Sequence, residues 1–233
     1  MKGFDLFAIL GSPEFARMLL HGIALTFVVA AGSWCLAMSL GIGLLVIRLM
    51  PLRITQGAVA AYVSYHRNVP TLVQLMLWYF GIASLLPDPV QYWLNDHGSE
   101  AIFAIIALGL CQAAYFSEDL RSGLRSVALG QSEAARALGH SYLGAMRNVL
   151  MPQALRNALP ALINHSVSLF KNSSLAMAIG VAELTHAVKE VENQSFRTFE
   201  TYLIATLAYL ACSLAIMALG AFLQQRAALG EAR

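Results

Sequence analysis

Long apolar runs separated by short polar breaks dominate the chain, and their lengths point to membrane-crossing helices. From His21 to Ile47 no Asp, Glu, Lys or Arg interrupts the sequence, a stretch longer than the roughly 20 residues a bilayer core requires. The pattern predicts five spans, at about 21–48, 56–86, 100–125, 158–182 and 201–224. The second contains His66-Arg67-Asn68-Val69-Pro70, where Pro70 removes a backbone hydrogen bond and loosens the helix. The fourth carries Pro160 and Lys171. Residues 1–20 set Phe4, Leu6, Phe7 and Ile9 against Asp5, Ser12 and Glu14, as in a short interfacial piece. Pro87 to Gly98 and residues 183–200 read as polar connectors.

The longest break, about residues 130–152, has the composition of helices rather than of a loop. Ser132 suits an N-cap, Glu133 then falls in the first turn, and Ala134, Ala135, Arg136, Ala137 and Leu138 favour helix. Gly139 is placed to stop that helix. Ser141 suits the cap of a second short helix, on which Tyr142, Met146 and Val149 make an apolar stripe. Pro152 fits the first position of the helix after it. Two short helices joined at a glycine, on the water side of a membrane protein, form a shape for docking onto another protein.

Composition supports the membrane reading. Of 233 residues, 58% are hydrophobic and 12% charged, about half the charge of a soluble domain. The fold class expected is an all-α integral membrane protein. A net charge of +2 gives no reason to invoke nucleic acid. Cys35, Cys111 and Cys212 lie in apolar runs without metal-type spacing and read as buried free thiols. No cleaved signal peptide is expected, the first span serving for insertion. With residues 130–152 in the cytoplasm, Arg48, Arg53, Arg121, Arg125, Arg136, Arg147, Arg156, Arg226 and Arg233 lie inside, and Lys2, Arg17, Lys189 and Arg197 outside. That basic bias puts the N-terminus outside and the C-terminus inside.

Arg67 and Lys171 are the two cations expected at membrane depth. A buried cation costs on the order of 2.5–3.5 kcal/mol on insertion scales, so each should face a cavity or a partner. For Arg67 the alternatives are a structural pair with Glu118 or Asp119, or a solute path; for Lys171 they are snorkelling or the same path. Gln74, one turn past Pro70, is a further polar candidate. His66 and His165 read as packing residues before proton carriers, and Glu183 as structural or gate-lining. No Walker-type or HExxH motif is present, nor a G-x-S-x-G elbow; Ser166 and His165, being neighbours, point to different helix faces. A secondary transporter would carry internal inverted repeats, and none is visible. A simple anchor would not need Arg67 and Lys171. Five spans without a repeat leave half a transport route, so a second chain should supply the rest.

The residues also carry a resemblance. Glu133-Ala134-Ala135, Gly139 and Met151-Pro152 resemble the EAA signature of permease subunits of bacterial ABC importers. AYFSEDLRSGLRSV before it and PQALRNALPALINHSVSLFKNSSLAMAIGVAELT after it resemble the polar amino acid subfamily, closest to glutamate/aspartate permeases. The resemblance covers roughly residues 20–225. It implies a type I importer fold in the bacterial inner membrane, with Glu133, Ala134, Ala135, Leu138, Gly139 and Pro152 in a coupling helix that docks on an ATPase subunit. It places Arg67, Asn68, Pro70, Lys171, Asn172 and Ser173 in motifs lining the solute path, and Gln74 joins them as a pore contact. Val69 departs from the usual threonine, and Asn172 stands where relatives moving neutral or cationic amino acids carry aspartate. The implied partners are a second permease chain (identical or paralogous), two ATP-binding subunits, an extracytoplasmic amino acid-binding protein and membrane lipid. No cofactor is implied in this chain, Mg-ATP belonging to the ATPase. With both deep charges positive, the expected substrates are glutamate and aspartate, the alternatives being glutamine, histidine or arginine.

Overall fold

The computed structural model describes residues 4–229, and among them every regular element is helical. The order is α1 (Phe7–Leu10), α2 (Pro13–Leu49), α3 (Arg53–Asn68), α4 (Thr71–Met76), α5 (Asp88–Asp96), α6 (Ser99–Arg125), α7 (Leu129–Ala137), α8 (Tyr142–Ala145), α9 (Met151–Asn172), α10 (Leu184–Ser195) and α11 (Thr198–Leu229). Wide turns over Leu77–Ile82 prolong α4, others over Met146–Leu150 join α8 to α9, and 3₁₀ turns over Ser173–Ile179 follow α9.

Three of these helices, Pro13–Leu49, Ser99–Arg125 and the Thr198–Arg226 part of α11, are long and apolar enough to cross a membrane. The pair Arg53–Asn68 and Thr71–Leu85, bent by 106°, makes a fourth if it counts as one span. The fourth expected segment falls on α9, whose 22 residues span about 33 Å. It does not reach the same apolarity because it carries Arg156, Asn157, Asn164 and Lys171. Since α9 packs along α6 and α11 inside the bundle, it has polar-tolerant faces and needs no apolar surface all round.

The first span begins eight residues before the expected position. Ser12 caps it through a 3.5 Å bond from the Phe15 N–H, Pro13 opens it and Glu14 lies in its first turn. The expected interfacial piece therefore shrinks to α1, and Ile9 is not at an interface but fully buried against Leu19, Leu184 and Val191. The two expected connectors are helical as well. Glu183 organises the second of them: its carboxylate accepts from the Thr185 and His186 N–H groups at 3.0 Å and from the Tyr209 hydroxyl at 2.7 Å. Burial nonetheless pushes that carboxyl above its ordinary range. Of its two expected roles, Glu183 has the structural one.

Helix α6 is the axis of the bundle, with α2 and α9 along its flanks. One core gathers Val29, Leu75, Phe103, Leu108 and Leu169; another gathers Ala37, Leu45, Phe116, Leu120 and Leu162. The approach of α6 to α9 is closest at Gly123, where a Cβ would sit 2.3 Å from the Ala154 carbonyl oxygen. Any side chain there would push the two helices apart. Of the cysteines, Cys111 is buried as expected, but Cys35 is exposed on α2 and Cys212 is half-buried.

Candidate functional site

The docking segment has the expected two-helix shape with one correction at its start. Helix α7 begins at Leu129, so Ser132 lies inside it and caps nothing, and Glu133 follows the first turn rather than occupying it. Its end is a Schellman motif: the His140 N–H donates to the Ala135 carbonyl at 3.1 Å, and the Gly139 N–H to that of Arg136 at 3.0 Å. Gly139 has φ of +88° with nothing within 4 Å of an added Cβ, so the backbone conformation alone selects glycine there. Ser141 caps α8, accepting from the Gly144 N–H at 3.1 Å. Inward, Ala135 and Ala145 are buried; Gln153 ties the base of α9 to α7 through Gln131 at 3.3 Å. Outward, Glu133, Ala134, Gly139 and Pro152 are exposed, and so are Leu129, Tyr142 and Leu143. Leu138 is 83% exposed. The segment thus presents a set of apolar side chains left exposed among the described residues.

The bend between α3 and α4 positions the other candidates. Val69 and Pro70 are extended, as a residue preceding proline and a proline itself prefer. With no N–H on Pro70, the His66 carbonyl loses its helical donor. Gln74 supplies it: Nε2 donates to the His66 carbonyl at 3.1 Å and to that of Val69 at 2.7 Å, while Oε1 lies 2.6 Å from His66 Nδ1. Gln74 is 1% exposed, so its amide braces the bend and does not face a solute, which corrects the expectation for it. His66 is a satisfied packing residue in the same brace.

Arg67 pairs with neither carboxylate proposed for it. Glu118 is held by Arg48 and Arg121, and Asp119 by His165 Nδ1 at 2.6 Å. The Arg67 guanidinium lies 5.5 Å from the Tyr115 ring centroid, a cation–π contact. Tyr115 also lines a cavity of about 220 Å³ between α4, α6 and α9, together with Thr71, Cys111, Gln112, His165 and Asn172. Gln112 is 4% exposed, and its Nε2 has no hydrogen-bond partner among the described residues. A buried donor left unmet in this way is available to a polar guest. Lys171, next to Asn172, is exposed and makes no ion pair among the described residues. Asn68 and Arg67 border a second cavity, of about 310 Å³, that reaches Arg48 and Glu118. Ser173 is fully buried with its hydroxyl on the Phe170 carbonyl, so it faces neither cavity. Ser166 accepts from Trp34 Nε1 at 2.9 Å, away from the His165 side, as neighbouring positions on a helix require.

Sequence reasoning missed Gln112, Tyr115 and the Asp119–His165 pair as members of one site. They stand at i, i+3 and i+7 on α6, a spacing that puts them on one face. That spacing was the available signal.

The chain is 30% identical over 211 residues to the glutamate/aspartate import permease protein GltJ of Escherichia coli K12, covering 89% of this chain and 86% of that one. It is 31% identical over 209 residues to the arginine transport system permease protein ArtQ of Bacillus subtilis, covering 89% and 91%. In three dimensions it is similar to a crystal structure of an amino acid ABC transporter with histidines, at a TM-score of 0.84 and 26% identity, over 97% of this chain and 100% of that one. Residues 36–229 match the model of the binding-protein-dependent transport system inner membrane components. The chain belongs to that family, the permease subunits of bacterial ABC importers of amino acids.

Proposed function

We propose that this chain forms half of the translocation path of an ATP-driven importer of acidic amino acids, glutamate and aspartate. The observation that carries the substrate class is that Arg67 and Lys171 make no ion pair among the described residues, while Glu118 and Asp119 are already engaged. An α-carboxylate and a side-chain carboxylate would each take a cationic partner, at about 1.5–3 kcal/mol per charge-assisted hydrogen bond. The unmet Gln112 amide in the cavity adds a neutral donor suited to the same oxygens. The name of GltJ supports this reading. The exposed apolar side chains of α7 and α8 would seat in an ATPase subunit, so hydrolysis resides in that partner and not in this chain. A second permease chain would complete the path, and an extracytoplasmic binding protein would deliver the solute. The N-terminus would lie outside and the C-terminus in the cytoplasm. Of the cations in that assignment, Lys2 and Arg233 lie outside the described residues.

One observation favours a second reading. Asp119 reaches His165, and His165 lines the cavity beside Asn172. With His165 neutral, that carboxylate gives the cavity a negative neighbour, which favours a cationic amino acid; the name of ArtQ accords with it. Competition for uptake into vesicles holding the assembled transporter separates the two. Unlabelled glutamate and aspartate should compete more strongly than glutamine, histidine or arginine. Strongest competition by arginine or histidine would establish the second reading and overturn the first.

A further inference from the structure

A cluster of arginines stands where α2 and α6 end, and it shares Arg48 with the cavity bordered by Arg67 and Asn68. Arg48 in the last turn of α2, Arg121 on α6 and Arg125 in the last turn of α6 line one cavity of about 410 Å³. Arg48 and Arg121 share a single carboxylate, Glu118. Arg125 is exposed and makes no hydrogen bond or ion pair among the described residues. Three guanidiniums against one carboxylate leave two positive charges unmatched, and Asp119, the next carboxylate along α6, is occupied by His165. Two unmatched guanidiniums beside each other repel, and an anion relieves that repulsion while accepting bidentate hydrogen bonds.

Aliphatic side chains line the cavity as well. Leu45 and Leu49 stand one turn apart on α2, on either side of Arg48, and Leu124 joins them from α6. The loop and helix start beside them expose Met50, Leu52 and Ile54, the last at 86%. Side chains of this kind next to a helix end that emerges from the membrane belong against hydrocarbon. The cavity therefore joins aliphatic and guanidinium side chains in one wall, matching a molecule with an acyl chain beside an anionic head.

We infer that this cavity is a binding site for an anionic phospholipid, its phosphate held by Arg48, Arg121 and Arg125 and its acyl chain lying along the exposed Leu49. It sits at the end of α6 that leads into α7, so the lipid would occupy the leaflet on the docking side. A bound head would fix the ends of α2 and α6 relative to each other, one short turn before the docking helix. This rests on membrane placement, which the family establishes, and not on the choice of amino acid substrate.

The test uses the assembled transporter, delipidated in mild detergent and titrated with phosphatidylglycerol or phosphatidylcholine under native mass spectrometry. Phosphatidylglycerol should be retained in preference to phosphatidylcholine. Arg125→Gln should weaken its retention about fivefold, the loss expected for one basic residue near a lipid head, and Arg125→Lys should keep most of it. Arg17→Gln, at the opposite end of α2, should leave retention unchanged. Equal retention of the two lipids would overturn the proposal. So would displacement of phosphatidylglycerol by excess inorganic phosphate, which would mark a site for soluble anions. Equal losses for Arg125→Gln and Arg17→Gln would mark mere surface charge and overturn it as well.

Discussion

Two helix breaks shape this molecule, and they are made in opposite ways. At Gly139 the chain turns in water, with a glycine at positive φ and two backbone hydrogen bonds closing the end of α7. Nothing surrounds that turn, and the carbonyls it leaves are free to meet solvent. At Pro70 the chain turns within an apolar span, over the buried His66 and Gln74, where an unmet carbonyl costs several kcal/mol. There the proline makes the break, and a side chain eight residues from His66 repairs it, with the Cys111 thiol 3.7 Å from the same carbonyl. A break in water needs only a permissive residue; a break in the bundle needs a permissive residue and a donor brought from elsewhere.

The largest effect expected from this contrast lies at Gln74. Gln74→Leu keeps the volume near that of the amide but leaves the Val69 carbonyl without its donor and the His66 carbonyl with only the weak Cys111 thiol. At about 1–3 kcal/mol for each buried group left unsatisfied, the variant should lose on the order of 3 kcal/mol. The measurement is thermal unfolding of the purified permease in detergent. Unchanged melting in Gln74→Leu would show that the bend does not depend on its brace.

A smaller energy but a clearer functional loss is expected at Gly139. A side chain at φ +88° costs about 1–2 kcal/mol, and no neighbour would clash with it. Gly139→Val should therefore leave the bundle melting as before while moving Leu138 relative to Tyr142 and Leu143. Co-purification of the ATPase subunit, or the coupling of its hydrolysis to uptake, should fall severalfold. Gly139→Asn, which tolerates left-handed backbone, should keep most of both. Full coupling in Gly139→Val would end the assignment of this turn to docking.

The same contrast explains what could be read from the sequence. The elbow was legible down to Gly139 and the Ser141 cap because its hydrogen bonds run between residues three to five apart. The apolar runs likewise announced α2, α6 and α11, since length and hydrophobicity are local quantities. The proline break was legible as a break, but its brace was not, because Gln74 looks like any polar residue one turn past a proline. Only the fold shows that its amide points back at His66. The pairs that decide the electrostatics join still more distant positions: Arg48 with Glu118, 70 residues apart, and His165 with Asp119, 46 apart. Arg67 was drawn toward Glu118 in the sequence because no local signal revealed that Arg48 already holds it. The start of α7 was misplaced for a related reason. Ser132 has the chemistry of a cap, but the chain turns upward at Ala128, three residues after α6 ends, and the helix has begun before Ser132 is reached.

That last difference gives the smallest and most local prediction. Ser132 and Ser141 are equivalent by composition, each preceding a run of helix formers, yet only Ser141 accepts from a backbone N–H at a helix start. Removing a cap hydroxyl costs about 1 kcal/mol, because one of the first N–H groups of the helix loses its acceptor. Inside a helix the same change exchanges serine for a better helix former and gains a few tenths of a kcal/mol, roughly. Ser141→Ala should therefore speed amide hydrogen exchange at Gly144 and Ala145 about fivefold, the ratio that about 1 kcal/mol sets on a local opening equilibrium. Ser132→Ala should leave exchange in α7 unchanged or slightly slower. Exchange that quickens at Glu133 and Ala135 in Ser132→Ala, and stays unchanged at Gly144 in Ser141→Ala, would reverse the assignment. It would mean that α7 begins at Ser132 and that the turn at Gly139 is held from its other side.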